Sequence, residues 1–206
     1  KIIAKVPQAD ERDPLGLAYI LADVGAGDRA LELIAPLVED EQRGPGALLV
    51  QAYALERLQR YDDALASLVK ARDLGLETVN LHRNFGTLLG GMGRLAEAAD
   101  HFDEALHLDP QDDYCRIWLS LMHRRLGQND QEALKNYLGM RGFKDSDWPR
   151  QMLRYLLGEL KDEELVAAAA VGVDKELARG QACEAWFVIG QRRLADKDTA
   201  GAMAAF

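Results

Sequence analysis

The sequence predicts an all-α protein, a right-handed superhelix of about five helical hairpins, and three observations carry that prediction. Leu (32) and Ala (30) greatly outnumber Val (10) and Ile (6), a balance that favours helices over sheets. Small and apolar residues recur with a period of 34 residues along most of the chain, and a period of this length indicates one helical unit that is repeated and stacked. Glycine and proline stand between the apolar segments, where helices should end.

The clearest copy of the repeat reads VNLHRNFGTLLGGMGRLAEAADHFDEALHLDPQD. Gly86 and Ala98 are small where the two helices of one hairpin should touch, and Phe102 should fill the gap beside them. Gly93 predicts a positive-φ cap that ends the first helix, and Pro110 should stop the second. These positions closely resemble the tetratricopeptide repeat (TPR), which implies paired helices, A and B, stacked into a solenoid.

The same register extends to both sides of this copy. It defines a lead-in at residues 1–10 and four repeats at 11–44, 45–78, 79–112 and 113–144. Pro36 falls inside helix B of the first repeat, where it predicts a kink or an early end. In the fourth repeat, one inserted turn residue would place the helix B signature at Ala133 and Tyr137.

The period then breaks and returns. Residues 145–175 predict an irregular helical hairpin, with Pro149 at the start of one helix and Gly158 just after its end. Residues 183–206 predict a fifth repeat that is truncated in helix B, so the C-terminal face of the stack should be apolar and uncovered. The aromatic residues at stacking positions should be core: Phe102, Tyr137, Trp186 and Phe206.

Helix A positions that do not face the stack should line the concave side of the superhelix. An extended peptide or a partner helix in this groove would meet tyrosine faces, asparagine amides and arginine forks. The partner-binding candidates are Tyr19, Tyr53, Arg57, Asn80, Arg83, Asn84, Thr87, Tyr114, Leu121, Arg124 and Arg125. The alternative is that these side chains are only the solvated side of amphipathic helices. Trp118 is expected to pack rather than to face the groove.

The sequence indicates no catalytic, cofactor or metal site. The four histidines lack metal-ligand spacing, and the glycines of GTLLGGMG are explained by the repeat. A formal charge of −9 disfavours sequence-independent nucleic-acid binding. Cys115 and Cys183 lie far apart without a pairing motif, and both are expected to be buried as small apolar residues.

The C-terminal half carries a narrower resemblance. Residues 110–206 contain RIWLSLMHRRLG, DWPRQMLRYLLGELKDEEL and CEAWFVIGQRRLADKDTAGAMAAF, with Trp118, Trp148, Gly158 and Gly190 as marker positions. In order and spacing these segments resemble the NlpI-like lipoproteins of bacterial outer membranes. That resemblance implies a periplasm-facing adaptor that scaffolds cell-wall hydrolases and a processing protease, often as a homodimer, with a lipid anchor outside this chain. A cytoplasmic location is the alternative.

The function expected from the sequence is therefore a non-enzymatic scaffold that binds a peptide or partner helix. One alternative is the regulatory or substrate-recruiting repeat domain of a larger enzyme. Another is a self-assembling structural module that stacks copies end to end. The partner's identity does not follow from this fold, since one solenoid serves many ligands.

Overall fold

The computed structural model describes residues 13–140 and 147–206, and within them all regular structure is helical. The lead-in predicted for residues 1–10 lies outside the described residues. The chain divides after Leu108 into two compact units. Unit 1 contains α1 (Pro14–Asp23), α2 (Gly27–Val38), α3 (Gly44–Arg57), α4 (Tyr61–Asp73), α5 (Val79–Gly91) and α6 (Leu95–Leu108). Unit 2 contains α7 (Asp113–Arg125), α8 (Gln131–Leu138), α9 (Trp148–Leu157), α10 (Asp162–Ala168), α11 (Lys175–Ala195) and α12 (Thr199–Ala205).

Short polar side chains fix where several helices begin. Asp13, Thr78, Asp112, Asp174 and Asp198 each accept a hydrogen bond from a backbone N–H in the first turn of the helix that follows. These bonds satisfy amide groups that have no partner inside the helix. The sequence therefore sets the helix starts locally, before tertiary packing.

Unit 1 is a stack of three helical hairpins that follows the predicted register. Each A helix packs on its own B helix, and α3 also contacts α1 and α5. Residues one period apart occupy equivalent buried positions: Ala18, Ala52 and Gly86; Ala30, Ala64 and Ala98; Ile34, Leu68 and Phe102. At Gly86 a Cβ atom would lie 2.7 Å from the Phe102 ring. The ring therefore occupies the space that the missing side chain leaves, as predicted.

The turn between helix A and helix B repeats its backbone conformation. Positive φ angles occur at Gly25 (85°), Gln59 (60°), Gly93 (79°) and Gly127 (73°), each one period after the last. The cap predicted at Gly93 is thus confirmed, and α6 ends before Pro110 as expected. Gln59 adopts a conformation that normally favours glycine. Pro36 lies inside α2, which continues to Val38, so the early end predicted there is not observed.

Unit 2 departs from the period. Helix α9 starts with Pro149 in its first turn and ends at Gly158 with φ of 89°, as predicted. Helix α11 begins at Lys175 and runs for 21 residues, so its start precedes the repeat predicted at 183–206. In α8 the buried residue is Leu134, and Ala133 is exposed. The prediction at Ala133 is wrong because the turn absorbs a longer insertion than one residue.

The predicted aromatic core is correct in half of its members. Phe102 and Tyr137 are buried, whereas Trp186 is 40 % exposed and Phe206 is 63 % exposed. Phe206 still packs against Gly190, since a Cβ atom on Gly190 would lie 2.6 Å from the Phe206 ring. Cys115 is buried as expected, but Cys183 is exposed, and the two do not form a disulfide.

Candidate partner-binding surface

Helices α1, α3 and α5 bring one group of predicted residues to a common side of unit 1. We call this side the helix A face. Tyr19, Tyr53 and Thr87 are one period apart, and so are Asp23 and Arg57. Because α3 contacts both α1 and α5, these equivalent positions form neighbouring rows rather than isolated points. The helix A face comprises Tyr19, Asp23, Tyr53, Arg57, Asn80, Arg83, Asn84 and Thr87.

The helix A face has an aromatic centre. The rings of Tyr19 and Tyr53 stack with centroids 4.5 Å apart and an interplanar angle of 13°. Tyr53 is partly buried against the core of α1 and α2, while Tyr19 remains 49 % exposed. In a near-parallel pair each ring covers one face of the other, so the exposed area of Tyr19 is its outer face and edges.

A carboxylate completes this centre. The Tyr53 phenol donates a hydrogen bond of 2.9 Å to Asp23 Oδ1. Burial, and next the bond to Asp23, raises the pKa of Tyr53 above its ordinary value, so the phenol stays protonated and remains a donor. Asp23 is exposed and lies one helical turn after Tyr19. A stacked aromatic pair and an open carboxylate therefore stand side by side.

The remaining residues of the helix A face are polar and differ in exposure. Arg57 and Asn80 are exposed, and Arg83, Asn84 and Thr87 are half-buried. Thr87 donates a hydrogen bond of 3.2 Å to the Asn84 carbonyl oxygen within α5. The surface offers donors and acceptors at its α5 side and aromatic area at its α1 side.

Unit 2 uses most of its predicted contact residues internally. Leu121 is completely buried, so it lies in the core and not on a surface. Arg124 donates a hydrogen bond of 2.8 Å to the Leu156 carbonyl oxygen and lies 3.7 Å from the Asp196 carboxylate. Its guanidinium thus serves the C-terminal end of α9, where positive charge is favourable. Arg125 is exposed.

Tyr114 also has an internal partner. Its phenol lies 3.3 Å from Glu184 Oε2, and the Trp148 indole N–H donates to the same oxygen at 2.6 Å. Burial, followed by the charge of Glu184, raises the pKa of Tyr114 to about 12. One carboxylate therefore connects α7, α9 and α11. Trp118 packs as expected, with its ring centroid 5.3 Å from that of Phe187 in α11.

Sequence reasoning missed a second polar cluster in unit 2. Asp162 accepts hydrogen bonds from the Tyr155 phenol at 2.7 Å and from Arg193 at 2.5 Å. Arg192 donates to the Tyr155 carbonyl oxygen at 3.1 Å, and its guanidinium lies 4.7 Å from the Tyr155 ring centroid. Adjacent arginines near a helix end were the only signal, and they do not reveal partners that lie more than thirty residues away.

A histidine pair in unit 1 was also missed. The Nδ1 atoms of His82 and His101 lie 3.0 Å apart across the α5–α6 hairpin, and Glu77 lies 2.5 Å from His82 Nε2. Burial, and next the charge of His82, lowers the pKa of His101. Spacing within either helix could not show this pair because its members lie on different helices.

The described ranges, 13–140 and 147–206, show neither a metal site nor a membrane span. No three His, Cys, Asp or Glu side chains there are grouped as a metal ion would require. None of the helices there combines the length and apolar character of a membrane span.

Two solved structures resemble the chain along most of its length. YrrB, a TPR protein with an unusual peptide-binding site, has a TM-score of 0.51 and 18% identity over 95% of this chain and 93% of its own. A tetratricopeptide repeat protein from Parabacteroides merdae has a TM-score of 0.54 and 14% identity over 94% and 90%. No family model and no curated protein sequence matches the chain. The fold is therefore that of the TPR-type helical-repeat proteins.

Proposed function

We propose that this chain is a non-enzymatic interaction scaffold that binds a peptide or a partner helix on the helix A face of unit 1. The observation that carries the proposal is the Tyr19–Tyr53 stack, which exposes aromatic area beside polar side chains on a rigid row of helices. Rigid aromatic area with hydrogen-bonding groups around it is the usual composition of an interaction hot spot. YrrB, a structure with the same fold, has a peptide-binding site.

The helices supply what such binding requires. The side chains stand on packed helices and not on loops, so little backbone conformational entropy is lost on binding. Arg57 and Asn80 are exposed on the same face and can pair with partner carboxylates and backbone amides. Tyr19 supplies aromatic contact area on the same face.

A test needs a probe, because the natural partner is unidentified. We would select peptides from a displayed random library with the full chain as bait and measure their affinity by titration calorimetry. Tyr19→Ala combined with Arg57→Ala should weaken the selected peptides at least about tenfold, the loss expected for two hot-spot residues. The matched control is Tyr61→Ala with Arg29→Ala, which changes the same residue types at exposed positions of α4 and α2. Equal losses in the two double variants would contradict the proposal.

The resemblance of residues 110–206 to NlpI-like lipoproteins supports a finer version of the proposal. In this version the chain acts on the periplasmic side of a bacterial envelope, tethered by a lipid anchor, and scaffolds cell-wall hydrolases and a protease. Fractionation of the native cells tests the location. Recovery of the protein from the cytoplasm alone would contradict it.

Self-association is a second candidate function, supported by exposed apolar residues on the last hairpin. Met203 is 75 % exposed and Phe206 is 63 % exposed, and clustered exposed apolar area often marks a contact surface. Light scattering at increasing concentration should show a rising mass that Met203→Glu abolishes. Met140→Glu is the control at another exposed methionine, and it should leave the mass unchanged.

A further inference from the structure

The helix A face contains a site with the chemistry of a cation receptor. The outer face of Tyr19 carries the negative π-density of an aromatic ring, and Asp23 places a carboxylate one turn further along the same helix. Tyr53 supports both groups, because its ring stacks on Tyr19 and its phenol donates to Asp23 Oδ1. Their positions are therefore fixed before any ligand arrives.

The carboxylate is not neutralised within the described part of the chain. No ion pair involves Asp23 among residues 13–140 and 147–206, and Tyr53 engages only one of its two oxygens. Arg57 occupies the equivalent place on α3, but it forms no ion pair with Asp23 there. As far as the described residues are concerned, Asp23 Oδ2 is left to accept hydrogen bonds from a ligand.

We infer that the site formed by Tyr19, Asp23 and Tyr53 receives an arginine or lysine side chain of the bound peptide. The cation would lie over the outer face of Tyr19 and pair with Asp23. This inference rests on the proposed function and specifies which side chain the partner presents. A formal charge of −9 on the whole chain adds a long-range attraction for such a partner.

An acidic or purely apolar anchor fits the site less well. A partner carboxylate would face both Asp23 and the negative face of Tyr19. An apolar side chain could stack on Tyr19 but would leave the open oxygen of Asp23 desolvated without a partner. Of these three kinds of anchor, only a cation satisfies both groups at the same time.

The experiment uses two short probes that differ in charge alone. Acetyl-Gly-Arg-Gly-amide and the citrulline analogue have nearly the same shape, and both are titrated into the full ¹⁵N-labelled chain while amide shifts of α1 and α3 are followed. The arginine probe should bind about fivefold to tenfold more tightly than the citrulline probe, as an exposed cation–π contact combined with an exposed ion pair would give. Equal affinities would overturn the inference.

Variants then locate the effect. Asp23→Asn keeps the shape of the side chain and should remove most of the difference between the probes, and Tyr19→Ala should remove the remainder. Asp28→Asn and Tyr61→Ala are controls at exposed positions of the same residue types, and they should change nothing. A loss as large in Asp28→Asn as in Asp23→Asn would mean that overall charge, and not this site, attracts the probe. Arg57→Ala should leave the preference intact or strengthen it.

The failure of this inference and the failure of the proposed function give different results. Library peptides that bind the helix A face without any basic residue would overturn the inference and leave the scaffold function standing. If the arginine probe is preferred at Tyr19 but none of the longer library peptides binds the helix A face, the result would support the cation site and contradict the scaffold function.

Discussion

Unit 1 and unit 2 are stabilised in different ways. In unit 1 the same places of the repeat carry the packing, with Ala30, Ala64 and Ala98 all fully buried at one such place. Unit 2 also buries apolar residues such as Leu153 and Ile189, but they do not follow one period. Polar contacts add to this packing, since Asp162 and Glu184 each accept hydrogen bonds from side chains of two other elements. Periodic packing uses equivalent residues in every repeat, whereas a polar cluster depends on a few individual residues.

The largest expected effect on stability comes from truncating an aromatic residue, and two such residues occupy the same place of the repeat. Phe102→Ala should destabilise the chain by about 3–5 kcal/mol, because the ring is fully buried against Gly86. Phe206→Ala should cost less than about 1 kcal/mol, because most of that ring is already in solvent. Urea denaturation followed by far-UV circular dichroism measures both. Similar losses would mean that the two hairpins are packed alike.

The next largest effect on stability is expected when a substitution disrupts a polar cluster of unit 2. Asp162→Ala should cost about 1.5–3 kcal/mol, since it leaves the Tyr155 phenol and Arg193 without their acceptor. Asp103→Ala, at an exposed position of α6, should change stability by less than about 0.5 kcal/mol. Hydrogen exchange should show faster opening in α9, α10 and α11 only. Uniformly faster exchange in both units would contradict the division.

A smaller effect on stability concerns the turn between helix A and helix B, which has the same positive-φ position in both units. Gln59→Gly should stabilise unit 1 by about 0.5–1 kcal/mol, because glycine adopts a φ of 60° without the cost that a side chain imposes. Gly93→Gln, the reverse change one period later, should destabilise by a similar amount. Thermal unfolding of the two variants checks the sign. A loss of stability in Gln59→Gly would show that the glutamine side chain has a compensating contact.

The smallest effect is the pH dependence of the histidine pair in unit 1. The pKa of His101 is lowered in the folded state, first by burial and then by His82 and Arg72. A histidine with a depressed folded pKa contributes stability that is present above its unfolded pKa of about 6.5 and is lost as the pH falls below it. The urea concentration at the unfolding midpoint should therefore decrease as the pH is lowered from 7 to 5. His101→Asn should make this decrease smaller. His107→Asn, at an exposed position of α6, should not.

The regular part of the fold could be predicted because its causes are local or periodic. Gly93, Pro149 and Gly158 mark helix ends through their own backbone preferences, and the buried places of unit 1 follow one register. The positions predicted from this register are wrong where an insertion interrupts the period. At Ala133 the sequence shows an insertion but not how many residues the turn absorbs, so Leu134 is buried instead.

The candidate site was predictable in unit 1 and much less so in unit 2. The sequence identified Tyr19 and Tyr53 as neighbours on one face, since residues one period apart lie side by side in a stack. It misjudged Leu121, which is completely buried because α9 and α11 pack against α7. It also did not show that Arg124 has a partner in the Leu156 carbonyl oxygen, because the period contains no information about that irregular hairpin. Whether the helix A face binds a partner stays a prediction.

The bond between Trp148 and Glu184 has a practical consequence. Indole emission shifts in wavelength when a nearby charge or the surrounding solvent changes, and here a carboxylate oxygen lies 2.6 Å from the indole nitrogen. All three tryptophans of the chain, at positions 118, 148 and 186, belong to unit 2, while unit 1 has only tyrosine and phenylalanine. Tryptophan fluorescence therefore reports on unit 2 alone, and the melting of the two units can be separated without attaching a label.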